Sequence, residues 1–293
     1  MNKIPVTRTI EAAYRFVLTH LGAIIGLIWL PMVLVTVIGF FVEQRYYAAA
    51  ANALASNNVA SLGPALLSLL CYFVAALLLY SVMIVPVVQL ALGQRKEGAL
   101  LHFAFGPAEW RLFRALVGLV AFLLIPITIA GLLFSSVLSF AVPGRGSVPP
   151  LAGMGLELLA VLAYLGILYI GLRFVFLLPA VAVSEEGPVL PRAWKLSAGN
   201  FWRILGVVLA TAGPVKLIAV IAEIALEGPQ ALMPDFTSSS AMAAAQLHSM
   251  SLNMPLSQGI GFLIAPLMIG LLSSASVACL AALKDGRDAT LPP

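Results

Sequence analysis

Apolar residues in this chain come in six long runs, at about 21–42, 64–92, 115–142, 151–183, 203–227 and 258–283. A bilayer hydrocarbon core of about 30 Å is crossed by about 20 helical residues at 1.5 Å each. Every run reaches that length. The pattern therefore predicts an all-α polytopic integral membrane bundle of six transmembrane helices in a single membrane domain.

The polar interruptions divide into two kinds. Those that introduce the odd-numbered runs are basic and aromatic, as in "SEEGPVLPRAWKLSAGNFWRIL". There Pro191 suits a first helical turn, Gly199 a helix stop and Asn200 an N-cap. Residues about 191–198 read as a short cytoplasmic interfacial helix. Trp194 and Trp202 sit at head-group level, and Arg192, Lys195 and Arg203 face phosphates. Similar helices are expected over about 6–19 and 104–114. The opposite connections are plainer, the longest being an outer loop over 228–257.

These entries repeat. Ala13-Tyr14-Arg15 lines up with Ala193-Trp194-Lys195, which places His20 at Asn200 and Leu21 at Phe201. Trp110-Arg111-Leu112 matches Trp202-Arg203-Ile204. Each run also holds a proline: Pro31, Pro86, Pro126, Pro179, Pro214 and Pro266. The pattern reads as three pseudo-repeated helical hairpins. In the odd runs proline frees the carbonyl four residues earlier, on Leu27, Phe122 and Ala210, and bends the helix. Close helix packing is expected at Gly22 with Gly26, at Gly131 with Ser135, and at the patch Ser273, Ser274, Ala275 and Ser276.

Composition agrees with the pattern. Hydrophobic residues make up 61% of the 293 and charged residues only 10%, far below the roughly 25% of a soluble domain. Charge placement sets an orientation. With both termini inside, the inner segments hold Lys3, Arg8, Arg15, Arg95, Lys96, Arg111, Arg114, Arg192, Lys195, Arg203, Lys284 and Arg287, while the outer side receives Arg45 and Arg145. This bias matches a multi-pass protein of a bacterial inner membrane with cytoplasmic termini. The net charge of +4 then expresses topology and attraction to anionic lipid head groups rather than to nucleic acid. The small residues of "AAAANALAS" offer signal-type cleavage sites, but the preceding run is too long for a signal peptide and stays as span one. Cys71 and Cys279, at different depths, read as buried apolar residues without a bridge.

Ionisable groups inside apolar runs mark functional candidates, because charge in hydrocarbon is costly. They are Glu157, Arg173, Lys216 and Glu223. Lys216 and Glu157 come to similar depths, so a pair across spans four and five is expected, with Glu223 and Glu227 as fallback partners for Lys216. Arg173 lies either within the membrane or at its inner surface. If buried, it binds a lipid phosphate, with Gln89 or Tyr80 nearby; otherwise it snorkels to the inner interface or pairs with a neighbouring carboxylate. No catalytic, cofactor or metal constellation is present. His20 and His102 lack ligands at metal spacing, Met233, Met242, Met250 and Met254 with His248 are too loosely spaced for copper, and Glu185-Glu186 look solvated.

Arg173 with Leu178-Pro179-Ala180, then Ala193-Trp194, Ser197 and Asn200-Phe201-Trp202-Arg203, resembles a group of bacterial six-span proteins similar to the membrane domain of glycerophosphoryl diester phosphodiesterases. The resemblance is centred on residues 170–205. It implies an all-helical membrane module concerned with lipid. The phosphodiesterase chemistry of that family belongs to an attached soluble barrel, for which this chain has no room, so no catalytic residue carries over. The expected function is a non-enzymatic inner-membrane protein that interacts with lipid or serves a membrane complex. Alternatives are a transporter or lipid carrier with a proline-hinged cavity holding Arg173 and Lys216, and a membrane-embedded enzyme of lipid metabolism.

Overall fold

The structure is a computed structural model that describes residues 3–56, 58–95, 105–141, 150–227 and 240–285. Eight α-helices account for nearly all of these residues. They are α1 (Val6–Ser56), α2 (Gly63–Ala91), α3 (Pro107–Ala141), α4 (Pro150–Val175), α5 (Leu178–Ser184), α6 (Val189–Ser197), α7 (Phe201–Glu227) and α8 (Ser240–Asp285). A single 3₁₀ turn, Val59–Leu62, links α1 to α2. Six helices are long and apolar enough to cross a membrane.

The outer surface explains why water is the wrong solvent. Phe41, Leu67, Ile125, Leu132, Leu217 and Leu263 are each more than 60% exposed, except Leu217 at 60%. Large apolar side chains on this scale are unstable in water and ordinary in lipid. The chain is a multi-pass membrane helix bundle.

Helices α1 and α2, α3 and α4, and α7 and α8 pack as sequential hairpins, and the largest interface joins the first helix to the last. More than half of the spanning window of α8 is buried, against a third or less for every other span. Small residues make this possible: Ser273, Ser274, Ala275 and Ser276 are all 2% exposed or less. The Ser274 hydroxyl donates back to the Gly270 carbonyl at 2.7 Å, so its polarity is satisfied within the helix. At Gly270 a Cβ would come within 3.0 Å of both Val17 and Ile24. There α1 and α8 pack closely.

Several elements differ from expectation. Gly22, Gly26 and Gly131 have nothing within 4 Å of where a Cβ would stand, so they are not close-packing points; the side chain of Ser135 lies outside those described. Run four is two helices, because α4 stops at Val175 and α5 begins at Leu178 with Pro179 in its first turn. Proline there lacks the N–H that would continue the ladder. The stretch expected as an outer loop over 228–257 is helical from Ser240 onward, as the start of α8. The entry to span three is one helix with the span. Its first turn is fixed by Pro107 and by the Glu109 carboxylate, which accepts the Gly106 N–H at 2.9 Å, half of a capping box.

Helix α1 does break where the repeat places a boundary. His20 has φ −114° and ψ 15°, outside the helical well. Its ring stacks on Phe16 at 4.7 Å, and Nδ1 lies 3.0 Å from the Phe16 carbonyl. The preceding segment does not lie free on a surface, since Thr9, Ala13, Phe16 and Val17 are at most 3% exposed. It packs beside the start of α7: the Ile4 N–H donates to Asn200 Oδ1 at 3.3 Å, and Arg203 Nη1 donates to the Ile4 carbonyl at 2.7 Å.

Candidate functional site

Arg173 ends up inside the protein, only 8% exposed. It sits in the last turn of α4 and ties that helix to α6. Nε donates to Ser197 Oγ at 3.2 Å, Nη1 to the Tyr169 hydroxyl at 3.0 Å, and Nη2 to the Trp194 carbonyl at 3.0 Å. The guanidinium carbon stands 3.5 Å from the centre of the Trp194 ring. Trp194 in turn stacks on Phe174 at 4.9 Å. Planar guanidinium chemistry explains the choice: a rigid fork of donors with two π faces serves neutral oxygens and an aromatic ring at once. Gln89 and Tyr80 are not among its partners, and no acidic side chain among the described residues pairs with it.

Helix α6 presents two faces. Val189, Ala193 and Ser197, four residues apart, are buried, whereas Arg192, Trp194 and Lys195 are exposed. Trp110 and Trp202 are 47% and 78% exposed. All three tryptophans lie at one end of the bundle, called here the collar end. Arg111, next to Trp110, donates through Nε to the Ala182 carbonyl of α5 at 3.0 Å. Arg203, next to Trp202, makes the equivalent bond to Ile4. Leu112 and Ile204, matched by the repeat, are both fully buried, as is Ile24 in the same register of α1. Ala13 and Ala193 are likewise buried to 0%.

Glu185, expected to be merely solvated, joins three elements of the collar end. It accepts from Arg192 Nε at 2.9 Å and sits 2.6 Å from Lys284 Nζ at the end of α8. Burial acts to raise its carboxyl, but Lys284 and Arg192 outweigh that and hold it below the usual carboxylate range. A shallow cleft of about 330 Å³ lies beside it, lined by Glu185, Glu186, Arg192 and Lys195 among others.

Lys216 lies elsewhere. It is exposed on the surface of α7 and lines a cleft of about 370 Å³ together with Thr36, Glu43, Tyr72, Tyr80 and Gln258. Glu43 accepts from Gln258 Nε2 at 3.3 Å, and the Tyr72 hydroxyl donates to the Val35 carbonyl at 3.2 Å. Neither Lys216 nor Glu223 forms an ion pair with a described residue; the side chains of Glu157 and Glu227 lie outside those described, which leaves the expected Glu157–Lys216 pair there too. A second cleft, of about 500 Å³ and almost wholly apolar, is walled by Gly171, Val175, Phe176, Pro179 and Leu272. Met268 and Ile269 line both clefts. Arg173 lines neither, so it and Lys216 do not share a cavity.

Sequence reasoning missed Glu43, Tyr72 and Gln258. Glu43 follows Phe40-Phe41-Val42 directly and fell just past the end assigned to span one; α1 runs on to Ser56. Cys71 is exposed, not buried, and Cys279 is buried. Among the described residues no group of three or more His, Cys, Asp or Glu could hold a metal ion; Met233 of the methionine set lies outside them, and Met254 is packed at 5% exposure. Comparison with known proteins finds no matching family model, no matching curated protein and no matching solved structure.

Proposed function

We propose that this chain is a non-enzymatic, lipid-interacting protein of a bacterial inner membrane, with both termini in the cytoplasm, whose collar engages anionic head groups. The observation that carries this reading is the build of α6. Arg173 pins the Trp194 backbone and ring from inside, leaving Arg192 and Lys195 exposed on α6, with Trp202 exposed at the start of α7. Cations held rigidly at the depth of an aromatic belt suit lipid phosphates, and each adds about 1 kcal/mol of attraction to an anionic surface. The positive-inside bias supports the cytoplasmic placement of that end. The resemblance to phosphodiesterase membrane domains fits the same reading. Its residues, Arg173, Trp194, Ser197, Asn200 and Arg203, converge on contacts that fix the collar, which is a structural role and not a catalytic one.

Native mass spectrometry of protein extracted gently from membranes containing phosphatidylglycerol tests the proposal. Wild type should retain anionic phospholipid, and a variant carrying Arg192→Glu with Lys195→Glu should retain several-fold less. Equal retention by the two proteins, with both eluting as the same folded species, would overturn it. A second polypeptide retained in place of lipid would redirect the reading to an accessory subunit.

A further inference from the structure

The cleft around Lys216 holds two charges that do not satisfy each other. Lys216 is 13 positions along α7 from Arg203, or about 20 Å at 1.5 Å per residue. An ammonium at that depth in hydrocarbon is costly without an anion, and no described carboxylate lies within ion-pair distance. Glu43 shares the cleft, and its hydrogen-bond partner there is a neutral amide, Gln258. Counted from the His20 break, Glu43 is about 35 Å along α1. That exceeds the roughly 30 Å of hydrocarbon and brings it to head-group level at the far end. Cation deeper, anion shallower: this order mirrors one kind of molecule. In a zwitterionic phospholipid the phosphate lies next to the glycerol and tails, and the ammonium lies farther out.

The apolar cleft is where a tail would follow. Along α8, from the far end toward the collar, Gln258 lies at Glu43, Met268 and Ile269 line both clefts, and Leu272 walls the apolar one. The residues thus run in the sequence ammonium partner, phosphate partner, acyl surface. Volumes of about 370 and 500 Å³ fall within the usual range of ligand sites.

We propose that the two clefts form one site for a single phospholipid with a zwitterionic head group: Lys216 binds its phosphate, Glu43 its ammonium, and an acyl chain occupies the cleft beside Gly171 and Leu272. An anionic lipid such as phosphatidylglycerol fits less well, because its neutral glycerol head offers Glu43 no ammonium to pair with. The site is separate from the collar and does not depend on it.

The test uses the purified full chain, stripped of lipid by detergent exchange and offered phosphatidylethanolamine or phosphatidylglycerol, with occupancy read by native mass spectrometry. Wild type should bind one phosphatidylethanolamine in preference to phosphatidylglycerol. Lys216→Ala and Glu43→Gln should each weaken it about tenfold, the loss of one charge-assisted contact, while Lys216→Arg retains it. Glu43→Gln is near-isosteric, so the experiment survives misfolding of the alanine variant. Gly171→Leu should also lower occupancy, since a side chain there meets nothing within 4 Å of its Cβ and grows into the tail cleft. The reversal variant at Arg192 and Lys195 should leave this site unchanged. Preference for phosphatidylglycerol, or undiminished occupancy in both Glu43→Gln and Lys216→Ala, would overturn the proposal; undiminished occupancy in Gly171→Leu would remove the tail assignment.

Discussion

The hydroxyl of Tyr14 donates to the carbonyl of Ala210 at 3.0 Å. Ala210 stands four residues before Pro214, and proline has no N–H to offer that carbonyl. A side chain from the first helix thus repairs the ladder of the seventh. The kink is held by a tertiary contact, which argues against treating Pro214 as a free hinge.

Tyr14→Phe should therefore cost about 1 kcal/mol of unfolding free energy, the penalty of a part-buried acceptor left without a donor. In a Pro214→Ala background the substituted residue regains a backbone N–H that can reach the Ala210 carbonyl itself. There the same Tyr14→Phe change should cost less than about 0.5 kcal/mol. Denaturant unfolding in micelles measures the four corners of this cycle; equal costs in both backgrounds would show that the hydroxyl acts otherwise.

Arg173 tests whether charge or shape matters at the α4–α6 junction. Lysine keeps the charge but loses the fork and the flat face over Trp194. Arg173→Lys should cost about 2 kcal/mol and Arg173→Ala about 3 kcal/mol or more. Trp194 emission should shift in both variants. A lysine variant as stable as wild type would mean that the Ser197, Tyr169 and Trp194 contacts are incidental.

Glu185 gives the collar a pH dependence. Burial raises its carboxyl, but Lys284 and Arg192 prevail and hold it below its ordinary value of 4.5. A group depressed in the folded state contributes stability that is full above its unfolded value and lost as pH falls through the folded one. Stability should accordingly drop as pH falls below about 4.5. The carboxylate remains partly exposed, so the contribution is under about 1 kcal/mol and shrinks with added salt. Thermal melts of wild type and Glu185→Gln should differ at pH 7 and converge near pH 3; a constant gap would remove Glu185 as the source.

Hydropathy made the fold readable because lipid imposes one rule, that every spanning backbone satisfies itself as a helix. Six runs therefore gave six spans. The register of the repeat was readable as well, in the buried Ala13 with Ala193 and Leu112 with Ile204. What apolar sequence hides is interior structure. The break at Phe176–Leu177 interrupts a run that is greasy on both sides, and only Pro179 marks it. The helix over 240–257 reads as a loop because Gln246, His248, Ser249, Ser251, Asn253 and Pro255 break up its apolar residues. Partners of polar groups are hidden for a different reason: Tyr14 meets Ala210 and Glu43 meets Gln258 across separations of 196 and 215 residues. A length-based span boundary also left Glu43, at head-group level on the continuing α1, out of the candidate charges, and with it half of the lipid site.

Glycine motifs show the same limit and yield the last prediction. Gly22 and Gly26 have the spacing of a helix-packing pair, yet a Cβ on either meets nothing within 4 Å. Gly270 stands four residues before Ser274 of the small-residue patch, and a Cβ there presses on Val17 and Ile24 at 3.0 Å. Gly22→Ala and Gly26→Ala should then be silent or stabilising by up to about 1 kcal/mol, since alanine is the better helix former. Gly270→Leu should destabilise by about 2–3 kcal/mol, because several added carbons must displace the α1 side chains Val17 and Ile24. A fluorescence-detected melt of the three variants in one detergent compares them directly. Were Gly22→Ala damaging and Gly270→Leu harmless, α1 would have to meet its neighbour through the opposite face, and the α1–α8 seam would be wrong.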